Sequence, residues 1–105
     1  MTTFDDRESA FETKFAHDEE MRFKAVARRN RLLGLWAAGL LGKTGDEAAA
    51  YATEVVKADF QEAGDEDVIR KVASDLGSKA DVAAIRHQLG ICQAEARQQL
   101  LDEVR

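Results

Sequence analysis

The sequence predicts an all-α protein: a four-helix bundle-like domain with a long first helix and a mobile N-terminal arm. Three observations predict it. The 105 residues contain no proline and are rich in alanine, and both facts favour helix, because proline breaks helices and alanine loses no side-chain entropy in them. Gly42, Gly45, Gly64 and Gly77 fall where helical periodicity stops. No stretch alternates apolar and polar residues long enough to make a strand.

The first helix runs through residues 18–41 without a proline or an early glycine. Its second half, LLGLWAAGLL, is apolar nearly all round, so it should be the central element with the others wrapped about it. Upstream, helical positions continue without a stop signal to about Asp5. A continuous helix over residues 5–41 would be roughly 55 Å long. Thr44 and Glu47 are expected to form a capping box, each side chain satisfying a backbone N–H at a helix start, and behind them Ala48, Tyr51, Ala52, Val55, Val56 and Phe60 mark a second helix over residues 46–62. That helix would span only about 26 Å, so the beginning of the chain outruns it. Asp65 caps a short third helix whose inner face is Val68, Ile69, Val72 and Leu76. Asp81, or Ser78 with Asp81, opens a last helix carrying Val82, Ile85, Leu89, Cys92, Ala96 and Leu100. The domain division is an arm over residues 1–20 and a globular body over residues 21–105.

The corner Gly42-Lys43-Thr44 reproduces the end of a phosphate-binding P-loop. A P-loop follows a β-strand and needs a glycine five positions before its last one. That position is Ala37, and an apolar helix precedes the corner. The corner is a glycine C-cap, a lysine near the negative helix end and a threonine N-cap.

The totals exclude several functions. A net charge of −5 argues against a dedicated nucleic-acid binder, which displaces counterions with a basic surface. Cys92 is the only cysteine, so no internal disulfide forms and a reducing compartment is expected. The longest apolar run, residues 32–41, is about half of a membrane crossing, and the acidic start is no signal peptide. A cytoplasmic location without membrane insertion is expected. His17 and His87 form no metal-spaced cluster with Cys92, and no serine or cysteine has an evident base. No cofactor, metal or catalytic residue is expected, and the protein is read as a non-enzyme.

The beginning of the chain carries the strongest functional signal. Phe4, Phe11 and Phe15 are three of the five phenylalanines, and at ~100° per residue they project within roughly 40° of one another. Asp5, Asp6, Arg7, Glu8, Glu12 and Lys14 surround that stripe. Two readings follow: the stripe folds back on the bundle as extra core, or it orders as an amphipathic helix in the groove of another protein. Disordered charged tails seldom carry so much aromatic area, which favours a partner. Downstream, Asp18, Glu19 and Glu20 give way to Arg22, Lys24, Arg28, Arg29 and Arg31. This short basic run reads as a solvated or partner-facing surface, and a nucleic-acid helix is the competing reading. Asp18, Glu19 and Arg22 complete the candidate partner-binding residues. His17, beside Asp18, would make such binding sensitive to pH between about 6 and 8.

The stretch FKAVARRNRLLGLWAAGLLGKTGDEAAAYATEVVKADFQEAGDEDVIRKVASDL, with the opening MTTFDDRESAFETKFAHDEEMRFK, resembles the zeta subunit of the F-type ATP synthase of alphaproteobacteria. Its most specific parts are RRN-x-LLG-x-WAA-x-LLG, residues 28–42, and GDEDV, residues 64–68. The resemblance covers essentially the full chain and implies a four-helix fold. It also implies inhibition of ATP hydrolysis by the synthase's catalytic head, built from alpha, beta and gamma subunits. It further implies that residues 1–20 are the inhibitory part. They would be mobile when free, and helical when inserted at a catalytic alpha/beta interface, where they block rotation in the hydrolytic direction. Residues 22–31 and the body would support docking, placing the protein at the inner membrane through the synthase. Naming Phe4, Phe11 and Phe15 as anchors comes from the stripe, not from the family. Weak nucleotide binding somewhere on the bundle, or nucleic-acid binding through the arginines, is the alternative function.

Overall fold

The computed structural model describes residues 18–59 and 64–103, together with Ala10 and Thr13, each in helical conformation. Four helices follow one another: α1 (Glu19–Leu40), α2 (Gly45–Ala58), α3 (Glu66–Leu76) and α4 (Val82–Glu103), with a 3₁₀ turn at Gly77–Lys79 before the last. No strand occurs among the described residues. The all-α expectation holds.

The first helix does not run through from Asp5. Asp18 has an extended backbone (φ −105°, ψ 108°), and its side chain accepts hydrogen bonds from the Glu20 and Met21 N–H groups, at 2.9 and 3.2 Å. These bonds satisfy donors that a helix start leaves open. Glu19 and Glu20 add negative charge in the first turn, where the helix dipole favours it. The 55 Å rod expected over residues 5–41 is therefore interrupted at Asp18, and α1 is about 33 Å long.

At its other end α1 closes in a Schellman motif. The Gly42 N–H donates to the Gly39 carbonyl at 3.1 Å, and the Lys43 N–H donates to the Ala38 carbonyl at 2.9 Å. Gly42 carries φ of 78°, a left-handed conformation that other residues adopt at a steric cost. The GKT sequence is thus a helix–helix corner, as its register predicts. The capping box is not formed: Thr44 is the N-cap with an extended backbone, but its side chain makes no capping bond. Gly45 enters the helix at φ 55°, so the chain does not take the extended-to-helical step that a capping box uses. Asp65 likewise stands at the N-cap of α3 without a capping bond, because its carboxylate is held by Arg29. Asp81 does cap α4, accepting from the Ala84 N–H at 2.8 Å.

The core gathers Leu33, Ala37 and Ala38 of α1, Tyr51 and Val55 of α2, Val68, Ile69, Val72 and Leu76 of α3, and Ile85, Leu89 and Cys92 of α4. A smaller cluster joins Met21 to Leu100 and Leu101. Burying each leucine or isoleucine contributes about 1.5–3 kcal/mol. α1 and α2 approach so closely that a Cβ placed on Gly34 would lie 2.7 Å from the Ala52 Cα. α1 touches all three other helices, but it is not wrapped all round, since Leu35 and Leu40 are 38% and 40% exposed. Val82, expected inside, is exposed, whereas Ile85, Leu89, Cys92, Ala96 and Leu100 are buried as their spacing predicts. Ala48 and Val56 are half-buried, and Phe60 lies outside the described residues.

Candidate partner interface

Of the candidate partner-binding residues, Phe4, Asp5, Asp6, Arg7, Glu8, Phe11, Glu12, Lys14 and Phe15 lie outside the described residues, as does His17. Asp18 serves as the cap of α1, and Glu19 and Arg22 are exposed on its first turn. Ala10 and Thr13 are helical and exposed.

The basic run is not one surface. Arg29 and Asn30 are buried, at 5% and 1% exposure, which corrects the expectation that Arg-Arg-Asn-Arg faces solvent or a partner throughout. Asn30 sits three and seven positions before Leu33 and Ala37, so it shares their inward stripe. Arg29 turns its Nη1 to Asp65 Oδ1 at 2.9 Å and donates from Nε to Asn30 Oδ1 at 3.0 Å. Asn30 and Asp59 border the same narrow cleft, and the buried Asn30 Nδ2 makes no hydrogen bond. Asp67, buried in the first turn of α3, stands 3.7 Å from Arg70 Nη1. This polar cluster ties α1 to both ends of the corner between α2 and α3. Burial pushes the Asp59 carboxyl above its ordinary range, and Arg29 and Asn30 oppose that shift while Asp65 and Asp67 add to it.

The outward basic residues are partly committed. Arg28 pairs with Glu103 of α4, and Lys24 lies 3.5 Å from Glu20 one turn away, the helical pairing its spacing predicts. Arg31 is exposed. Lys24, Arg28 and Arg31 border a surface cleft of about 500 Å³ between α1 and α2, together with Phe23, Ala27, Thr53, Val56 and Glu103. Phe23 is 57% exposed, the most exposed large apolar side chain among the described residues. Sequence reasoning passed over it, although a phenylalanine flanked by Arg22 and Lys24 was a visible signal. A smaller cleft of about 210 Å³ between α1 and α4 is bordered by Arg22, Arg29, Gln93 and Arg97.

Elsewhere the polar chemistry is structural. The Tyr51 hydroxyl donates to Asp75 Oδ2 at 2.8 Å, and Lys71 reaches the same oxygen at 2.9 Å. Burial and the neighbouring carboxylate push the Tyr51 hydroxyl far up, holding it neutral. Burial likewise raises the Cys92 thiol, which leaves it little thiolate and little reactivity. Among the described residues no group of three or more His, Cys, Asp or Glu side chains could hold a metal ion. No described helix is long and apolar enough to cross a membrane. What the surface offers is a basic-rimmed apolar cleft beside the start of α1, which suits binding another helix.

A protein solved by solution NMR is 60% identical to this chain, over 79% of this chain and 98% of its own, with a TM-score of 0.75. A comparison with curated proteins finds no match. The profile of the family described as ATPase inhibitor subunit zeta matches residues 1–99, a span that runs from the first residue into α4, and the chain belongs to that family.

Proposed function

We propose that this protein restrains ATP hydrolysis by the F-type ATP synthase through its first twenty residues, with the body as their holder. The segment inserts as a helix at a catalytic alpha/beta interface of the head, its phenylalanines inward, and blocks rotation in the hydrolytic direction. The observation that carries this reading is the cap at Asp18. It starts α1 anew, so the aromatic stripe of the sequence stands before that helix and not within it. The exposed basic residues of α1 then lie where they can meet acidic groups on the head, and the protein acts as a regulator rather than as a catalyst.

Hydrolysis by a matched bacterial synthase head tests the proposal. The full chain should slow it, and a chain lacking residues 1–17 should not. The cut spares Asp18, because removing the cap would cost about 1 kcal/mol of helix stability and confuse loss of the arm with loss of the fold. In the full chain, Phe11→Ala with Phe15→Ala should lower potency about a hundredfold, at ~1.5 kcal/mol per lost ring. Undiminished inhibition by either variant refutes the role of the arm.

A second activity, weak nucleotide binding, is favoured by one feature only: three arginines border the α1/α4 cleft. Its volume suits a phosphate group rather than a whole nucleotide, and Asp65 already neutralises Arg29. Titration with ATP should shift the Arg22, Gln93 and Arg97 resonances if that reading holds. The nucleic-acid reading is weakened by the ion pairs of Arg28 and Arg29.

A further inference from the structure

The main core takes up α1 only from its middle onward: its buried α1 members are Leu33, Ala37 and Ala38, with Leu32, Trp36 and Leu41 packed against it. Met21 lies twelve residues before Leu33, about 18 Å away along the helix. It is buried in a separate cluster whose other members are Leu100 and Leu101 of α4, with Ala25 packed against them. Arg28, three residues after Ala25 and so on the same side of the helix, pairs with Glu103. Successive turns of α1, at Met21, Ala25 and Arg28, therefore meet one turn of α4, residues 100–103. The next tie along α1 is of another kind: Arg29 is paired with Asp65 at the corner before α3, and that pair does not involve α4.

We propose that the last turn of α4 is a positioning clamp for the inhibitory segment. By holding Met21, Ala25 and Arg28 it keeps the first turns of α1 helical, and so fixes the point from which residues 1–17 reach the head. The proposal rests on the inhibitory role assigned above to that segment. Connectivity gives the clamp its importance, because the segment joins α1 directly at the Asp18 cap with no linker between them. A helix start leaves its first four N–H groups without intrahelical partners, and a helix holds together mainly through the face it packs. Without Leu100 and Leu101 the packed face of this stretch is lost, and the residues from Asp18 to Arg28 become a flexible tether. Their order would then have to be supplied during binding, which weakens it. A longer loose tether also dilutes the segment at its site on the head. Leu100 and Leu101 need touch no synthase group for this; they act through α1.

Amide hydrogen exchange and inhibition, both measured on the full chain, test the clamp. Leu100→Ala with Leu101→Ala should speed exchange from Arg22 to Arg28 about tenfold more than exchange from Leu33 to Ala38. The same variant should need about tenfold more protein to half-inhibit hydrolysis by a synthase head. Leu101→Met, which conserves side-chain volume, should keep both parental values. Val72→Ala weakens the main core away from this cluster and should lower Tm without loss of potency. Equal acceleration of both stretches of α1 would overturn the proposal, as would parental potency in the double variant. A matching loss of potency in Val72→Ala would also overturn it, since general weakening would then be sufficient. If the unsubstituted chain itself does not inhibit, it is the inhibitory role that fails; failure of the clamp shows instead as a double variant that matches its parent or Val72→Ala.

Discussion

The two halves of α1 belong to one helix and obey different physics. Residues 32–40 are held by shape: Leu33, Ala37 and Ala38 are fully buried, and Gly34 lets the α2 backbone come within van der Waals contact. Residues 19–31 are held by polar pairing. Arg29 and Asn30 are buried among carboxylates, while Phe23, an apolar ring, stands in the open. One half spends its apolar surface on the body. The other half leaves part of its apolar surface exposed and anchors itself by charge.

The sharpest way to break the comparison is Gly34→Ala. The added methyl meets backbone rather than a flexible side chain, at 2.7 Å from the Ala52 Cα, so α1 and α2 must separate. Overpacking of this kind costs about 3 kcal/mol, which should lower Tm by about 12 °C or more in a domain of this size. Unchanged melting would mean that the apolar half has slack, and the contrast between the halves would collapse.

Arg29→Ala probes the other half. Its guanidinium is 5% exposed, whereas Asp65 is 47% exposed, so the abandoned carboxylate can recover much of its hydration. The expected loss is about 2 kcal/mol, below the range for pairs buried on both sides. A cycle with Asp65→Asn should return a coupling of about 1 kcal/mol. Glu103→Gln, which removes the exposed partner of Arg28, should cost no more than about 0.5 kcal/mol. Equal effects at Arg28 and Arg29 would show that burial does not distinguish them.

The sequence conveyed the apolar half well, because packing leaves a periodic record: the α3 face and five of the six α4 positions are buried as spaced. The Gly42 corner was legible for a similar reason, since a glycine at a helix end has few other uses. The polar half was harder. Arg-Arg-Asn-Arg looks like surface, and only the distant Asp59 and Asp65, brought in by the corner between α2 and α3, make its burial tolerable. Asp18 was read as one more helical position, because Asp-Glu-Glu occurs both inside helices and at their starts. What distinguishes the cap is a backbone angle, which composition does not record. The Asp65 cap failed through competition: a buried guanidinium holds the carboxylate more strongly than a backbone N–H.

The smallest expected effect is the most specific to the polar half. Burial raises the Asp59 carboxyl, Arg29 and Asn30 oppose the shift, and Asp65 and Asp67 reinforce it. A carboxyl raised in the fold favours the folded state when protonated. That contribution is complete below the unfolded value of about 4 and is lost as pH rises through the folded value, which lies above it. At neutral pH the Asp59 charge is therefore a small liability. Asp59→Asn removes that charge at nearly the same side-chain volume. The variant should melt higher than the parent at pH 7, by about 2 °C, a few tenths of a kcal/mol after solvent screening. The gap should close as pH falls toward about 4. A gap that is constant with pH would place the effect in packing, and a variant less stable at pH 7 would show that the Asp59 charge pairs with Arg29 to net advantage. In that case the first half of α1 is held by complete pairing, and the excess of carboxylate over guanidinium carries no cost.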